Sequence, residues 1–383
     1  MPHAVLFPDQ LGNQNTDGIG HGDARSTGAP YMHKNACNTH NSISSSTVNS
    51  MERTGTATAH TNIALIKYWG KKDEALRLPF TDSISLTLAD FYTTTEVTVL
   101  DSALPKRFTM NGSPVQGKAA DRVWQYIARL QQRFGVRGSL AITTENHVPT
   151  SAGLASSSSA FAALAGAFAA AYGLQVDMQE LSRMARLGSG SASRSVYGGF
   201  ARWIAGSDDA TSVAVPIDEH PSFALRMIAV QIDVKPKAIS STAGMRRVVE
   251  TSPYFPVWVE HNVDACERMQ QAIADSDFTT LGELAQQNAL DMHALNLTAR
   301  PGFTYFEPQT LQVLQAVDQL RQEGVECYYT MDAGPNVKVL VQPEHEAAVL
   351  ERLAVVVPDA TMLSTGVGPG ITMSANGVPV SIL

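Results

Sequence analysis

The sequence predicts an α+β fold with two domains. The chain has 383 residues, and domains of roughly 150 residues each would divide it into two. Segments typical of strands and of helices occur in both halves, without the strict strand–helix alternation of a doubly wound parallel sheet. Hydrophobic residues make up 44% and charged residues 17% of the chain, which provides enough apolar surface for a large core.

Charge and cysteine content argue against several classes of function. Lys and Arg number 28 against 36 Asp and Glu, a formal net charge of −8, whereas binding to nucleic acid or anionic membranes requires basic surface. Cys37, Cys266 and Cys327 are odd in number and far apart, which favours a reducing, cytoplasmic location over a disulfide framework. The longest apolar run, 160–171, is shorter than the roughly 20 residues that span a bilayer. We therefore expect a cytoplasmic protein that binds neither nucleic acid nor membrane.

The first 51 residues differ from the rest of the chain. They are rich in Asn, Ser, Gly, Thr and His and show no sustained apolar period, so they cannot bury enough surface to offset their ordering entropy. Their histidines lack the spacing of a metal site. We predict a disordered extension over residues 1–51, and Met51 is a candidate start codon that would leave it untranslated.

An N-terminal lobe is predicted over residues 52–222. Its strands are indicated by alternating, β-branched sequence, and its helices by apolar residues three and four positions apart. Asp177 and Glu180 form a capping-box pattern at the start of one helix. A Ser-, Asp- and Pro-rich stretch at 206–222 ends the lobe. The expected strands are 56–69, 93–100 and 140–146, and the expected helices are 121–134, 156–172 and 177–187.

A C-terminal lobe is predicted over residues 223–383 by the same two periodicities. It begins with an apolar strand, continues with a run of helices and returns to strands on either side of a Gly-Pro turn. The expected strands are 224–233, 325–331, 337–341 and a final pair, and the expected helices are 258–274, 279–295, 308–323 and 344–355.

The most informative segment is VPTSAGLASSSSAFAALAGAFAAAYG, residues 148–173. Four consecutive serines taken alone are typical of a flexible linker. Here a Gly-bearing turn precedes them and a strong helix former follows. Free backbone N–H groups and the positive end of the helix dipole would attract an anion at that point. The GxxxxGK[ST] lysine and the GxGxxG fingerprint are both absent, so neither common nucleotide motif applies.

A second segment, HTNIALIKYWGKKD, places cations directly after an apolar strand. Lys67, Lys71 and Lys72 flank Tyr68 and Trp69. The pattern fits a solvated basic turn. It fits equally a diphosphate site in which ammonium groups act as point charges and the Tyr hydroxyl donates a hydrogen bond.

A Gly- and Ser-rich loop, GSGSASRSVYGGF, follows the helix at 177–187. Ser189 and Ser191 supply hydroxyls, and Arg194 supplies a planar guanidinium that suits a carboxylate or a phosphate. A lone arginine is usually a surface residue. Its place inside a Gly/Ser loop between helices favours anion binding.

Two later segments carry further polar candidates. In KPKAISSTAGM, Lys237 precedes Ser241, which fits either a phosphate-binding turn or an ordinary strand-to-helix turn. In CYYTMDAGPNVKVL, Asp332 ends an aromatic strand. Such an aspartate commonly forms an Asx turn, but a carboxylate among phosphate loops could instead orient or deprotonate an alcohol.

The order Pro-x-x-x-Gly-Leu-x-Ser-Ser in the first segment resembles the phosphate loop of the galactokinase, homoserine kinase, mevalonate kinase and phosphomevalonate kinase superfamily. NIALIKYWGK, PTSAGLASSSSAFAAL, LSRMARLGSGSASRSVYGGF, SSTAGM and YYTMDAGPNV together resemble one branch, the diphosphomevalonate decarboxylases. The likeness extends from about Thr54 to the C-terminus. It implies a two-lobed fold of this small-molecule-kinase superfamily, with a deep cleft between the lobes, and a homodimer.

Roles follow from the resemblance by position. Asp332 matches the catalytic aspartate, and Arg194 matches the arginine that holds the substrate carboxylate. The positions that match contacts with mevalonate diphosphate are Tyr68, Lys71, Ser189, Ser191 and Ser241. The positions implied for ATP are Lys67, Gly153, Ser156, Ser157, Ser158 and Lys237. Magnesium is implied without a clear set of protein ligands, because phosphates and water can hold most of the metal.

The implied activity is the ATP-dependent decarboxylation of mevalonate 5-diphosphate to isopentenyl diphosphate, ADP, phosphate and carbon dioxide. Two alternatives stay open from the sequence: decarboxylation of mevalonate 5-phosphate, and a small-molecule kinase that stops after phosphoryl transfer. The acidic net charge does not oppose an anionic substrate, because cations from remote segments can focus a positive field in the cleft. The cations expected there are Lys67, Lys71, Lys72, Arg194 and Lys237.

Overall fold

The computed structural model describes residues 53–149, 154, 156–233 and 238–382. The predicted extension over residues 1–51 lies outside the described residues, as do Cys37 and the predicted site residues Gly153 and Lys237. The chain separates into a unit over Met1–Ser50 and a compact unit over Met51–Leu383. All described residues belong to the second unit.

The described chain contains strands and helices in both halves, without strict alternation. The strands are β1 (Arg53–Ile66), β2 (Lys71–Asp73), β3 (Leu78–Pro79), β4 (Ser83–Leu100), β5 (Arg107–Met110), β6 (Ser113–Pro114), β7 (Ser139–Asn146), β8 (Phe200–Trp203), β9 (Ala214–Asp218), β10 (Arg226–Gln231), β11 (Cys327–Met331), β12 (Val337–Val341), β13 (Thr361–Thr365), β14 (Thr372–Ala375) and β15 (Val378–Pro379). The helices are α1 (Gly117–Phe134), α2 (Ser156–Tyr172), α3 (Met178–Gly188), α4 (Ser241–Thr251), α5 (Phe255–Ala274), α6 (Phe278–Thr298), α7 (Pro308–Gln322) and α8 (Pro343–Val356). A 3-10 helix covers Gly190–Ser193.

The larger sheet is built around the long antiparallel pair β1 and β4. Its order is β15-β14-β1-β4-β7-β5-β6, with β8 paired to β4 and β9 paired to β8. Strands β14 and β15 come from the end of the chain, yet β14 pairs with β1, placing Ala375 opposite Gly55. These late strands complete the sheet that begins in the predicted N-terminal lobe, so the two sheets do not follow the order of the predicted lobes along the chain. The lobe boundary at residue 222 stays a prediction.

Helix α2 packs directly on the β1–β4 pair because its side chains are small. Nearly every residue from Phe161 to Tyr172 is buried, as expected for a helix that is apolar all round. At Gly55, an added Cβ would lie 2.2 Å from the backbone nitrogen of Ala171, so only glycine permits this close approach of helix and strand. The contact fixes the C-terminal end of α2 beside the start of β1. In the first turn of α2, Oγ of Ser158 lies 3.1 Å from Oγ of Thr61, further along β1.

The smaller sheet has the order β11-β12-β10-β13 and is antiparallel throughout. Two of its strands, β11 and β12, are buried at every residue, which places both of their faces in the core. One of its cores includes Val313 and Val317 of α7 and Leu353 of α8. This packing holds the end of β11, where Asp332 follows Met331.

The observed elements confirm the α+β class and most of the predicted segments. Helix α2 has the predicted bounds, and Asp177 caps α3 by accepting a hydrogen bond from the backbone N–H of Glu180 at 2.6 Å. Strand β4 begins ten residues before the predicted 93–100, at Ser83. The sequence did not predict helix α4, strands β8 and β9, or the short strands β2, β3, β5 and β6. SSTAGM was interpreted as a turn, and β9, within 206–222, forms a strand through its pairing with β8.

Two further expectations concern the whole chain. Among the residues that the structure describes, no helix is long and apolar enough to cross a membrane. Cys266 and Cys327 are both buried and free. Burial raises the pKa of each thiol to about 12, so both behave as small core residues rather than as reactive thiols.

Candidate active site

A cavity of about 540 Å³ collects most of the polar segments singled out in the sequence. It lies where the end of β1, the first turns of α2 and α4, the loop after α3 and the residue after β11 meet. The predicted site residues that line it are Lys67, Tyr68, Lys71, Ser156, Ser157, Ser189, Ser191, Arg194, Ser241 and Asp332.

Asp332 is held by two buried lysines. Its Oδ1 lies 2.9 Å from Nζ of Lys67, and its Oδ2 lies 3.5 Å from Nζ of Lys338. Lys67 and Lys338 are each 1% exposed, so neither ammonium group competes with bulk water for the carboxylate. The two ammonium groups therefore fix the position of the carboxylate beside the cavity.

Lys67 is itself positioned from two sides. Its backbone N–H donates to Oδ1 of Asn288 on α6 at 2.7 Å, and its Nζ donates to the carbonyl oxygen of Ala64 at 2.7 Å. Burial lowers the pKa of Lys67 to about 8, although the charge of Asp332 acts in the opposite direction. The ammonium group is therefore mostly protonated at neutral pH and loses its proton just above it.

Arg194 is buried beside the same cavity. Its Nη1 donates to Oγ of Ser83 at 2.6 Å and its Nη2 donates to Oδ1 of Asn62 at 3.2 Å. Its Nε is buried and has no hydrogen-bond partner among the described residues. Burial lowers the pKa of Arg194 to about 10, so the group remains a cation at neutral pH. An anion facing Nε would complete its hydrogen bonding.

A row of hydroxyls joins α2 to the loop after α3. Oγ of Ser157 lies 3.3 Å from Oγ of Ser189, and Oγ of Ser189 lies 3.4 Å from Oγ of Ser191. Tyr68 packs against the next residue of the loop: a Cβ added at Gly190 would lie 2.9 Å from the Tyr68 hydroxyl oxygen. That hydroxyl is buried without a hydrogen-bond partner among the described residues, and burial raises its pKa well above the usual value. Tyr68 is therefore a hydrogen-bond donor rather than an anion.

Two helix N-termini face the cavity. Helix α2 begins at Ser156, and α4 begins at Ser241 with Ser240 as its cap, accepting from the backbone N–H of Ala243 at 3.2 Å. Free N–H groups and the positive dipole end make each terminus a site for anions. The SSTAGM segment therefore contributes a helix start, where the sequence left open a phosphate-binding turn or an ordinary strand-to-helix turn.

Three sequence-predicted residues differ from expectation. Ser158 does not line the cavity; it is buried against β1, 3.1 Å from Oγ of Thr61, so its predicted contact with ATP stays a prediction. Lys72, expected in the cleft, is exposed and donates to the carbonyl oxygen of Gly206 at 2.9 Å. Lys67, assigned to ATP, is paired with Asp332.

Sequence reasoning missed several cavity residues. Asn62 is one of them. Its Oδ1 accepts a hydrogen bond from Arg194, and its Nδ2 donates to Oγ of Ser195 at 2.7 Å. Lys338, which contacts Asp332 without lining the cavity, was also missed, because it appears as an ordinary member of an apolar strand. Arg77 and Arg122 also line the cavity. Asn62 and Lys338 lie within segments that the sequence analysis singled out, but they are not among the residues marked there, and Arg77 and Arg122 lie outside those segments.

Comparison with known proteins shows which family the chain belongs to. The family model "Diphosphomevalonate decarboxylase-like N-terminal domain" matches residues 59–214, and "Mevalonate 5-diphosphate decarboxylase C-terminal domain" matches residues 227–371. The chain belongs to the diphosphomevalonate decarboxylase family. The superfamily resemblance inferred from the phosphate loop and the aspartate segment is thereby confirmed.

Individual members of the diphosphomevalonate decarboxylase family support the same grouping. A diphosphomevalonate decarboxylase of Candida albicans is 36% identical, over 77% of this chain and 86% of that protein. A phosphomevalonate decarboxylase of Haloferax volcanii is 32% identical, over 78% of this chain and 91% of that protein. Both kinds of decarboxylase are therefore relatives of the chain.

Solved structures of the family share the fold. The crystal structure of mevalonate diphosphate decarboxylase from Staphylococcus aureus has a TM-score of 0.82 at 44% identity, covering 84% of this chain and 98% of that one. A structure described as MDDEF in complex with MVAPP, AMPPCP and magnesium has a TM-score of 0.80 at 42% identity, covering 84% of this chain and 99% of that one. The predicted two-lobed kinase-superfamily fold is confirmed.

Proposed function

We propose that the chain catalyses the ATP-dependent decarboxylation of mevalonate 5-diphosphate to isopentenyl diphosphate. The observation that carries the proposal is the presence, in one cavity, of a lysine-held aspartate, a buried arginine and two helix N-termini. The reaction needs each of them: a group that orients an alcohol, a group that binds a carboxylate, and sites for two polyphosphates.

The roles of Asp332 and Arg194 follow from the chemistry. The tertiary hydroxyl oxygen attacks the γ-phosphorus of ATP, its proton passes to a base, and ADP leaves. The C–O bond then breaks with phosphate as leaving group, the bond to the carboxylate carbon breaks, and its electron pair forms the alkene as carbon dioxide departs. Asp332 orients the hydroxyl and accepts its proton. Arg194 holds the carboxylate until its charge leaves.

ATP and magnesium fit the residues that are present. Ser156 and Ser157 at the start of α2 would contact the nucleotide phosphates. Among the described residues, no group of three His, Cys, Asp or Glu side chains could hold a metal ion, so phosphate oxygens and water would supply most of the ligands of Mg²⁺. The bound ion supplies charge neutralisation on the transferred phosphoryl group. The related complex with MVAPP, AMPPCP and magnesium supports this pairing of substrates.

The second candidate is decarboxylation of mevalonate 5-phosphate, favoured by the similarity to the Haloferax volcanii enzyme. The cavity favours the diphosphate, which is the larger anion, because several cations and the N-termini of α2 and α4 line it. A kinase of the superfamily would stop after phosphoryl transfer and leave the carboxylate in place, so the reaction products separate it from a decarboxylase.

One assay tests the proposal against both alternatives. Purified protein is given ATP, Mg²⁺ and either mevalonate diphosphate or mevalonate phosphate, while ADP, free phosphate and carbon dioxide are measured. The proposal expects all three products in equal amounts and higher kcat/KM with the diphosphate. Preference for the monophosphate would establish the second candidate. ADP with a stable phosphoester and no carbon dioxide would establish a kinase.

The pKa of Lys67 predicts the alkaline side of the pH profile. Because kcat/KM reports the ionisation of the free enzyme, and burial lowers the pKa of Lys67 to about 8, we expect kcat/KM to fall as pH rises through about 8. Above that pH the Lys67–Asp332 ion pair is lost. The measurement is kcat/KM between pH 6 and about 10, with ATP saturating.

Lys67→Arg provides the matched test, since a guanidinium stays protonated throughout this range. Whatever activity the variant retains should no longer decline near pH 8. A wild-type profile that is flat to pH 10, or an unchanged decline in Lys67→Arg, would contradict the role of Lys67. The stability of the folded protein changes in the opposite direction. Because the pKa of Lys67 is lower in the folded protein than in the unfolded chain, the free energy of unfolding should rise as pH increases from about 8 to about 10.5.

Cellular location and assembly complete the proposal. We infer a cytoplasmic homodimer from the sequence, and light scattering of the purified protein would test the dimer.

A further inference from the structure

A buried lysine lies in the otherwise apolar strand β12. Lys338 is 1% exposed, and side chains alternate between the two faces of a strand. Its neighbours in sequence, Val337 and Val339, pack in the core beside α7 and α8. Lys338 therefore lies on the opposite face with Leu340, which shares a core with Ile66 at the end of β1.

An ammonium group in this position needs a partner, because burial of an unpaired charge is strongly unfavourable. Nζ of Lys338 lies 3.5 Å from Oδ2 of Asp332, and it donates to the carbonyl oxygen of Asn336 at 3.3 Å. Lys67 occupies the other oxygen of the same carboxylate, at 2.9 Å. Lys338 does not line the cavity, so it can affect the reaction only through its neighbours.

One carboxylate between two ammonium groups leaves a surplus of positive charge. Among the described residues, neither lysine forms an ion pair with a second carboxylate. Burial lowers the pKa of Lys67 to about 8, and the charge of Asp332 raises it. The charges of Lys338 and Arg194 lower the same pKa further, because a like charge nearby favours loss of the proton.

His293 of α6 faces the same groups and adds no charge to them. It is 2% exposed. Burial lowers its pKa to about 3, and the charge of Lys67 lowers it further, whereas that of Asp332 raises it. The imidazole is therefore neutral at neutral pH. The charged groups that act on Lys67 are Asp332, Lys338 and Arg194.

We propose that Lys338 is a positioning residue for the reaction, holding the second carboxylate oxygen of Asp332 and repelling the ammonium group of Lys67 across that carboxylate. The inference rests on the proposed function, in which Asp332 orients the substrate hydroxyl. Loss of the contact with Oδ2 would loosen that orientation. Loss of the charge would let Lys67 keep its proton to higher pH.

The first test follows the proton of Lys67 in Lys338→Met, which keeps an unbranched side chain and removes the charge. The NMR resonance of the Lys67 Cε is titrated in protein that carries isotope-labelled lysine, and it is assigned by its absence in Lys67→Arg. The midpoint, about 8 in wild type, should rise by about one pH unit. The alkaline decline of kcat/KM should move by the same amount.

The second test measures the chemical step at about pH 7, where Lys67 is protonated in both proteins. Removal of one hydrogen bond to Asp332 should lower kcat about 3- to 10-fold. KM for mevalonate diphosphate and for ATP should stay unchanged, because Lys338 does not line the cavity. Lys338→Arg restores the charge and should return the midpoint of Lys67 to about 8. If Lys338→Met fails to fold, Lys338→Gln should show the same rise.

Two controls separate charge from packing. Thr330 lies directly opposite Lys338 on β11, and its hydroxyl is buried without a hydrogen-bond partner among the described residues. Thr330→Val therefore changes the same part of the core at constant charge. Lys106→Met repeats the exchange at an exposed lysine outside the cavity. Both variants should keep the wild-type midpoint of Lys67 and the wild-type kcat.

The outcomes distinguish this inference from the proposed function. A raised midpoint with lower kcat and unchanged KM supports the inference. An unchanged midpoint in Lys338→Met, an equal rise in Thr330→Val, or wild-type kcat despite a raised midpoint would overturn it. The NMR titration needs no substrate. A raised midpoint in a protein that releases no carbon dioxide would therefore contradict the proposed function and still support the repulsion between the two lysines.

Discussion

Replacement of Asp332 by alanine should lower kcat about 100- to 10,000-fold, the usual range for a group that handles the reacting proton. Asp332 is the carboxylate that two buried lysines fix in the cavity, through Oδ1 at 2.9 Å and Oδ2 at 3.5 Å. A carboxylate is a weak base for an alcohol, so orientation of the hydroxyl carries much of the effect. The measurement is the steady-state rate of ADP and carbon dioxide formation.

Two controls separate loss of chemistry from loss of structure. Asp332→Ala leaves Lys67 and Lys338 without their carboxylate, and an unpaired buried charge is destabilising, so Tm should be measured in parallel. Asp332→Asn keeps the shape and should also be strongly impaired. Asp275→Ala removes an exposed aspartate at the end of α5 and should leave kcat unchanged. Near-normal turnover of folded Asp332→Ala would refute the assignment.

Replacement of Arg194 by lysine should lower kcat/KM about 100- to 1,000-fold, because the exchange is not conservative at this position. The guanidinium spans Ser83 on one side and Asn62 on the other and still presents Nε. A lysine ammonium cannot make these contacts together. Burial would also favour its neutral form, since the pKa of Arg194 itself is already lowered to about 10.

The matched control for Arg194→Lys is the same exchange at Arg202. That residue pairs with Asp82 and Glu267 and does not line the cavity, so Arg202→Lys should retain nearly full activity. Ser83→Ala removes only one of the hydrogen bonds that orient Arg194 and should cost about tenfold. Wild-type kcat/KM in Arg194→Lys would exclude its role in binding the carboxylate.

The sequence was most informative where helix propensity or apolar periodicity is strong. The Ala-rich segment after the serines predicted α2 with its observed bounds, because alanine has high helix propensity and little else competes. Alternating apolar residues located β1, and the continuous apolar runs located β11 and β12. These features depend on neighbours in sequence, so the sequence alone can specify them.

Prediction failed where tertiary contacts decide. The segment after Ser240 is a helix whose first turn faces the cavity, and the strand at 214–218 forms only through its pairing with β8. Lys67 and Lys72 are five residues apart and alike in charge. Lys67 is 1% exposed and pairs with Asp332, whereas Lys72 is exposed and donates to the carbonyl oxygen of Gly206. Strand direction and packing, rather than residue type, separate them.

The sequence by itself determined most of the longer elements, the family and the set of residue types that the reaction needs: an aspartate, an arginine, hydroxyls and two phosphate-binding segments. The tertiary structure alone decided which of these share a cavity, and it added Lys338, Asn62, Arg77 and Arg122. The physical reason is that a site draws its residues from positions more than 250 apart, such as Lys67 and Asp332. Their distance is fixed by the packing of sheets and helices, which no local pattern records.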